Sequence, residues 1–362
     1  MHVDKIALEG FRNFTAEVVD FAPGTNVIYG ENAQGKTNLL EAVFMLSGGR
    51  SFRTRSDKEL IGFDSSWAKI AAEITSGGRQ QSVMIAMEPG RPKKITVNSV
   101  KKAAGELSET FNTVLFCPDD LNLIKEGAAV RRRLMDNAIS QLRPQYAEYL
   151  TAFNKYLDHK TRILKDGRDM PSLYDTLDDF SDGVCRYSAH LIRYRYSYVQ
   201  RLNEKAKLIH RDFTDGKEEL ELIYKTVSSV TDPTASVRDI YYQLCEHTES
   251  HREAEIASGQ CLSGAHRDDI EIFINGKNAR SFASQGQTRT AALCLKLAER
   301  EIFPEETGEM PVLLLDDVLS ELDARRQEFV LNRIGEGQTI ITCCEDNEIS
   351  KKTGGKLVHI SK

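Results

Sequence analysis

Two short stretches carry residue types that could handle phosphate groups. Gly30-Glu31-Asn32-Ala33-Gln34-Gly35-Lys36-Thr37 fits G-x-x-x-x-G-K-[ST] without a mismatch. Its glycines allow a tight loop whose successive N–H groups converge on a polyphosphate, and the helix that follows adds partial positive charge. Lys36 is then placed to reach the β- and γ-phosphates, and the Thr37 hydroxyl to ligate Mg²⁺. Far downstream, the apolar run Val312-Leu313-Leu314-Leu315 ends in Asp316-Asp317. A carboxylate at the end of a buried strand beside a phosphate loop holds Mg²⁺, which assigns Asp316. Asp317 is then the group to orient or deprotonate an attacking water.

Two further turns belong with these. Ser284-Gln285-Gly286-Gln287 precedes Thr288, Arg289 and a helix. A small polar turn at a helix start can bind an anion through its hydroxyl and backbone N–H groups, or simply cap the helix. Ser320-Glu321-Leu322-Asp323 follows the acidic strand at close range.

The elements needed to position these residues are legible. Ile6 and Leu8 alternate with polar neighbours, Val18 and Val19 follow, and residues 25–29 form an apolar run that stops at Gly30, which predicts strands. From Gly35 the spacing of Leu39, Leu40, Val43, Phe44 and Leu46 predicts a helix that Gly48-Gly49 ends. Residues 67–116 read as a β-meander of four runs closing on NTVLF. Residues 130–165 and 172–213 predict a hairpin of two long helices, broken at Asp166-Gly167 with Pro171 beyond. Strands are expected again at 220–227 and 269–274, with Asn275-Gly276 as a hairpin turn. A helix over about 287–302, the strand 312–315, another helix and the strand from Thr339 complete the pattern. An α/β head assembled from both ends of the chain, with an inserted, mainly helical arm, follows. The expected division is 1–125 and 256–362 for the head and 126–255 for the arm.

Length and composition agree. A chain of 362 residues with 40% hydrophobic and 28% charged side chains suits two domains, or one with a large insertion, and is neither membrane-spanning nor disordered. No apolar run approaches the roughly 20 residues of a spanning helix. The N-terminus lacks a signal-peptide core, so a cytoplasmic protein is expected. The seven cysteines form no C-x-x-C pair and read as buried free thiols. The formal charge of −6 argues against indiscriminate nucleic-acid binding. Residues 50–133 nevertheless hold 15 basic against 10 acidic side chains, so a local basic face is possible.

The order of phosphate loop, long insertion, Ser-x-Gly-Gln turn, apolar strand with Asp-Asp and Ser-x-Leu-Asp resembles the ABC-type head ATPases that include SMC proteins and Rad-fifty-like repair ATPases. Further strings narrow this: Phe11-Arg12-Asn13-Phe14, Gly49-Arg50-Ser51-Phe52-Arg53, Phe116-Cys117-Pro118-Asp119-Asp120-Leu121, Arg131-Arg132-Arg133-Leu134-Met135-Asp136 and Gly264-Ala265-His266-Arg267-Asp268-Asp269. Spread in order over nearly the whole chain, they resemble the RecF family of bacterial recombination mediators. The arm is also too short for long coiled coils, since residues 172–213 reach at most about 60 Å as a helix.

The resemblance implies an ABC-type head with a mixed sheet around the phosphate loop, ATP and Mg²⁺ as cofactors, and an ATP-dependent homodimer. Ser284, Gln285, Gly286 and Gln287 of one chain, with Asp323, would contact ATP held by Lys36 and Thr37 of the other. It also implies binding to duplex DNA and to gapped or single-strand–duplex junctions, RecO and RecR as partners, placement of RecA, and a cytoplasmic, nucleoid-associated location. Three departures point to slow hydrolysis acting as a timer. Asp317 is shorter than the usual glutamate, Thr342 and Cys343 stand where transporters carry a switch histidine, and Phe116-Cys117-Pro118 occupies the place of a Q-loop. The alternatives, an ATPase subunit of a transporter or of a nuclease assembly, would need a switch histidine and full L-S-G-G-Q turn, or an added acidic metal cluster.

Arg50, Arg53, Arg55, Lys101, Lys102, Arg131 and Arg132 are the candidates for DNA phosphate contact. Arg50 or Arg53 is alternatively placed to serve the ATP γ-phosphate. His247 and His251 superficially suggest zinc, but H-x-E-x-H lacks the H-E-x-x-H order and reads as a solvated helix face. The tyrosines at 187, 194, 196, 198, 241 and 242 fall at helical spacing and read as packing.

Overall fold

The computed structural model describes residues 1–31, 33–54, 56–343 and 349–360. Along the chain come β1 (His2–Phe11), β2 (Phe14–Asp20), β3 (Thr25–Tyr29) and α1 (Lys36–Met45). Then follow β4 (Ala68–Ser76), β5 (Arg79–Met87), β6 (Lys94–Val97), β7 (Val100–Lys101) and β8 (Thr113–Phe116). The helical stretch holds α2 (Ala128–Leu142), α3 (Pro144–Asp166) and α4 (Leu177–Phe213). After it lie β9 (Leu220–Lys225), α5 (Val237–Ser250), α6 (Arg252–Ser258), β10 (Asp269–Ile274), β11 (Lys277–Asn278) and α7 (Ala279–Phe282). The chain closes with α8 (Gln285–Thr307), β12 (Val312–Asp316), α9 (Ala324–Arg333), β13 (Thr339–Cys343), α10 (Ile349–Thr353) and β14 (Lys356–His359).

Two compact units result, one of residues 1–122 with 292–362 and one of residues 123–291. The first contains two sheets. An antiparallel sheet runs in the order β2-β1-β4-β5-β6-β7, and a five-stranded sheet, all of whose pairs are parallel, runs β14-β3-β13-β12-β8. The strands Val312–Asp316 and Thr339–Cys343 are buried at every position without alternation, because they are covered on both faces. A single core joins the inner faces of both sheets to α1. Ile6, Leu8 and Phe11 of β1 and Ile70 and Ile85 of the antiparallel sheet share it with Leu39, Leu40 and Val43 of α1 and Val312, Leu314 and Ile340 of the parallel sheet.

Parallel register fixes the site. Tyr29 on β3 lies opposite Cys343 on β13, and Asp316 on β12 opposite Thr342 on β13. The phosphate loop, Asp316 and Thr342 therefore emerge together at the carboxyl ends of adjacent strands, where α/β sheets bind ligands.

The second unit is helical around a small antiparallel sheet, β11-β10-β9. Asn275 and Gly276 have φ of 51° and 71°, the left-handed pair that a two-residue hairpin requires, and Ile274 pairs with Lys277 across it.

Three expectations change. NTVLF does not close the meander: β8 joins the parallel sheet beside β12. It joins that sheet as an edge strand, largely buried, after residues 104–109 form a 3₁₀ turn. The first predicted helix divides at Arg143, which is extended (φ −141°) ahead of Pro144, so α2 and α3 are separate. Residues 256–291 pack with the helical unit rather than with the head, since β10 pairs along its length with β9 and Asp269 is bound by Arg131 of α2.

Candidate nucleotide site

The loop between β3 and α1 has the backbone a phosphate cradle needs. Gly30, Ala33 and Gly35 have φ of 152°, 67° and 112°. A Cβ on Gly30 would lie 2.4 Å from the Ile360 carbonyl oxygen, and one on Gly35 2.7 Å from both side-chain atoms of Asn13, so both positions need glycine on steric as well as conformational grounds. Gln34 Oε1 accepts from Glu31 N–H at 3.0 Å and ties the loop across its mouth. Lys36, 8% exposed, turns its ammonium into the loop, donating to the carbonyls of Gly30 at 2.6 Å and Glu31 at 3.0 Å. Asn32 lies outside the described residues.

Asp316 completes the centre. Its Oδ1 accepts from Thr37 Oγ1 at 2.9 Å and from Thr342 Oγ1 at 3.0 Å, while Thr342 Oγ1 accepts in turn from Asp317 N–H at 2.9 Å. Burial pushes the Asp316 carboxyl above its ordinary value. The two threonine hydroxyls oppose this, Asp317 adds to it, and the Arg53 charge opposes it. The residues fit a divalent cation: a hydroxyl and a carboxylate, both hard oxygen donors, converge beside the loop, and the buried negative charge is one such a cation would relieve. Asp317 has φ of 52°, and its carbonyl and Oδ1 accept from Ser320 Oγ at 2.6 and 3.1 Å, which holds its half-exposed carboxylate at the rim.

A supporting layer surrounds the loop, of which the sequence singled out only Arg53 as functional. Glu41 on α1 is fully buried and receives both arms of Arg12, Nε to Oε2 at 2.8 Å and Nη2 to Oε1 at 2.7 Å, together with Ser51 Oγ. Asn13 donates to the Gln34 carbonyl at 2.8 Å, Asn38 to Asn13 at 2.8 Å, and Arg53 to Asn38 at 2.7 Å. The loop is thus braced from the β1–β2 turn. A lone glutamate inside the apolar face Leu39-Leu40-Glu41-Ala42-Val43 was the available signal, because a buried carboxylate demands a partner.

Ser284-Gln285-Gly286-Gln287 lies in the second unit as a reciprocal capping box at the start of α8. Ser284 N–H donates to Gln287 Oε1 at 2.9 Å and Gln287 N–H to Ser284 Oγ at 3.3 Å. Ser284 is exposed, and its oxygen accepts within the turn, which leaves the hydroxyl proton for an outside acceptor. Asp323 is the N-cap of α9, accepting from Arg326 N–H at 3.0 Å and pairing with the Arg326 guanidinium.

The basic candidates separate. Arg131 is not a surface cation. It is 3% exposed, grips Asp269 through Nε at 2.7 Å and Nη2 at 2.9 Å, and donates Nη1 to the carbonyls of Leu123 and Glu126 at 3.0 and 2.8 Å. Arg132 is half-buried and donates to the Asp268 carbonyl at 2.7 Å. Arg131 is therefore held inside the fold, and Arg132 is partly held by it. Lys102 pairs with Glu106 at 2.7 Å, whereas Arg50 and Lys101 are exposed, and Arg55 lies outside the described residues. Arg53 sits within electrostatic reach of Asp316 and lies 3.6 Å from the Glu41 carboxylate. His247 and His251 stack with ring centroids 4.0 Å apart, and His247 Nδ1 contacts Ser263 Oγ. Tyr198 is buried, and Tyr187 and Tyr194 both pack against Tyr149.

Known proteins resemble this chain over nearly its whole length. The family described as "RecF/RecN/SMC N terminal domain" matches residues 2–362. The chain is 38% identical over 361 residues to the DNA replication and repair protein RecF of Acetivibrio thermocellus, covering 99% of this chain and 98% of that one. It is 40% identical to RecF of Clostridium acetobutylicum, covering 97% and 95%. A solved structure described as the recombination mediator protein RecF bound to ATP superposes with TM-score 0.87 at 36% identity, covering 96% and 93% of the two chains. An Smc head, at 16% identity and TM-score 0.56 over 100% and 94% of the two chains, shares the fold.

Proposed function

The chain belongs to the RecF family, and from that premise we infer that it is an ATP-switched DNA repair protein whose nucleotide joins two copies of the chain. The observation that carries this reading is the convergence of Thr37 and Thr342 on the buried Asp316 beside the Lys36 loop, at 2.9 and 3.0 Å.

Lys36 and the loop N–H groups would bind the triphosphate, with Arg53 close enough to help neutralise it. Thr37 and Asp316 would hold Mg²⁺, which neutralises phosphate charge and orients the γ-phosphoryl group. Ser284 and the N-terminal N–H groups of α8 would cap the γ-phosphate held by a second copy, so that association requires ATP. Asp317, fixed by Thr342 and Ser320, would orient the attacking water. It is one methylene shorter than glutamate, and Thr342 cannot exchange a proton near neutral pH as a histidine does. Hydrolysis is therefore slow and acts as a release step; turnover of tens per second without partners would refute that.

The named relatives support DNA replication and repair as the setting, and the solved relative supports recombination mediation. On that basis DNA at gapped or single-strand–duplex junctions, RecO, RecR and RecA are the expected partners, in the cytoplasm at the nucleoid. Among the described residues no helix is long and apolar enough to cross a membrane. Sedimentation of the wild type with and without Mg-ATP and gapped duplex tests the reading. ATP-dependent dimers that bind DNA are expected, and a protein that stays monomeric at saturating Mg-ATP would overturn it.

A further inference from the structure

Glu218 takes no part in the phosphate cradle, yet it holds one side of the serine turn. Its Oε1 accepts from Gln287 Nε2 at 2.8 Å, while Gln287 Oε1 accepts Ser284 N–H at 2.9 Å. An amide engaged at both ends has one orientation: its oxygen must face the turn and its nitrogen the carboxylate.

Glu218 is itself on a short and pinned link. The last turn of α4 closes with Thr214 N–H on the His210 carbonyl at 3.0 Å and Gly216 N–H on the Arg211 carbonyl at 2.8 Å. Asp215 and Gly216 take φ of 53° and 72°, reversing the chain as helix C-caps do. On the other side Glu219 N–H donates to Asn275 Oδ1 at 2.8 Å, and its carbonyl accepts from Asn275 N–H at 2.9 Å. Behind the carboxylate stands the fully buried His210 ring, whose Nε2 lies 3.6 Å from Glu218 Oε2. The carboxylate thus has fixed backbone on both flanks and a ring at its back.

We propose that Glu218 is a positioning residue for the γ-phosphate contact, acting through Gln287 to hold the capping box and the Ser284 hydroxyl in the geometry a nucleotide on the partner copy requires. The proposal rests on the nucleotide-joined dimer described above. Because the link begins at the end of α4, the same hydrogen bond ties the turn to the longest helix of the arm.

The test is sedimentation of Glu218→Met and Glu218→Gln proteins in Mg-ATP, with fluorescent-nucleotide binding to the monomer measured alongside. Met keeps the length and removes the acceptor, whereas Gln keeps an acceptor oxygen. A hydrogen bond to a charged group is worth about tenfold in an equilibrium. With two turns per dimer, Glu218→Met should weaken ATP-dependent association by about a hundredfold. Glu218→Gln should lose only about tenfold, since its oxygen still accepts from the Gln287 amide but through a neutral hydrogen bond about half as strong. Monomer nucleotide affinity should be unchanged in both. If thermal melting shows Glu218→Met unfolded, Glu218→Asp, which keeps the charge but falls short of Gln287, carries the same expectation of weakened association. Wild-type association of the Met (or Asp) protein overturns the proposal, and so does a Gln protein as impaired as Met. A Ser284→Arg control separates the two ideas. If it dimerises with ATP the sandwich itself is wrong; if it stays monomeric while Glu218→Met dimerises normally, only the role of Glu218 fails.

Discussion

Replacing Thr37 by Val removes one hydroxyl and little else, and its effect can be worked through. Thr37 Oγ1 makes one of the two hydrogen bonds on Asp316 Oδ1, at 2.9 Å, to a carboxylate 7% exposed and already held above its ordinary pKa by burial. The change removes a hydroxyl the cation would use and the donor that orients the Asp316 carboxylate, a kind of loss that costs about ten- to hundredfold in metal affinity, so Mg-ATP affinity should fall by about that factor. Without Mg²⁺ the triphosphate depends on Lys36 and loop N–H groups that the change leaves alone, and affinity should shift by less than about threefold. The assay is titration calorimetry with ATP in Mg²⁺ and in EDTA, with Thr37→Ser as the control that restores the hydroxyl. An equal loss in both conditions, or no loss in Mg²⁺, would refute the assignment of Thr37 and Asp316 to the cation.

Arg131→Met should lower stability by about 3–5 kcal/mol in urea unfolding, because Asp269 and buried carbonyls lose their donor. Arg131→Lys should recover little, since an ammonium cannot reproduce the forked contact; normal stability with reduced DNA affinity would contradict the structural role. His266, pushed down to about 4 by burial, donates Nε2–H to the Cys261 carbonyl at 2.9 Å. The unfolded chain takes up that proton near pH 6.5 and the folded one does not. Up to about 3 kcal/mol of stability, fully present above pH 6.5, should therefore be lost as pH falls toward 4. Unfolding of His266→Gln at pH 7 and pH 5 checks this, as the variant should show the shallower pH slope. Charge reversal at Lys101 together with Arg50 should weaken DNA binding and flatten its salt dependence, and a double variant whose salt slope matches wild type would remove both from the DNA face.

The chemistry was legible where it is local. The phosphate loop, its strand and its helix are contiguous, and the positive φ of Gly30 and Gly35 is a local need, although Ile360 and Asn13 add a steric one that the sequence does not show. Asp316 was readable because a run of buried apolar residues ending in a carboxylate has few uses beside such a loop. What depends on distant partners was not legible. Arg131 stood among seven candidate surface cations, and only the approach of Asp269, far along the chain, shows it to be internal. Residues 256–291 were assigned to the head because strand patterning does not say which sheet a strand will join, and β10 joins β9. The same holds for β8, which joins the parallel sheet at its edge. Glu41 left a trace, a charge within an apolar helix face, whereas Glu218 left none: a glutamate in a polar loop becomes significant only when Gln287 lies beside it.

The central claim is that each nucleotide is completed by two chains, and mixing two defective proteins tests it most directly. Lys36→Ala loses the cradle and keeps the serine turn; Ser284→Arg keeps the cradle and loses the turn. Sedimentation with Mg-ATP should find each alone monomeric, and an equimolar mixture should form dimers through the one intact composite site, more weakly than wild type. A mixture that remains monomeric, or either variant dimerising alone, would contradict the account.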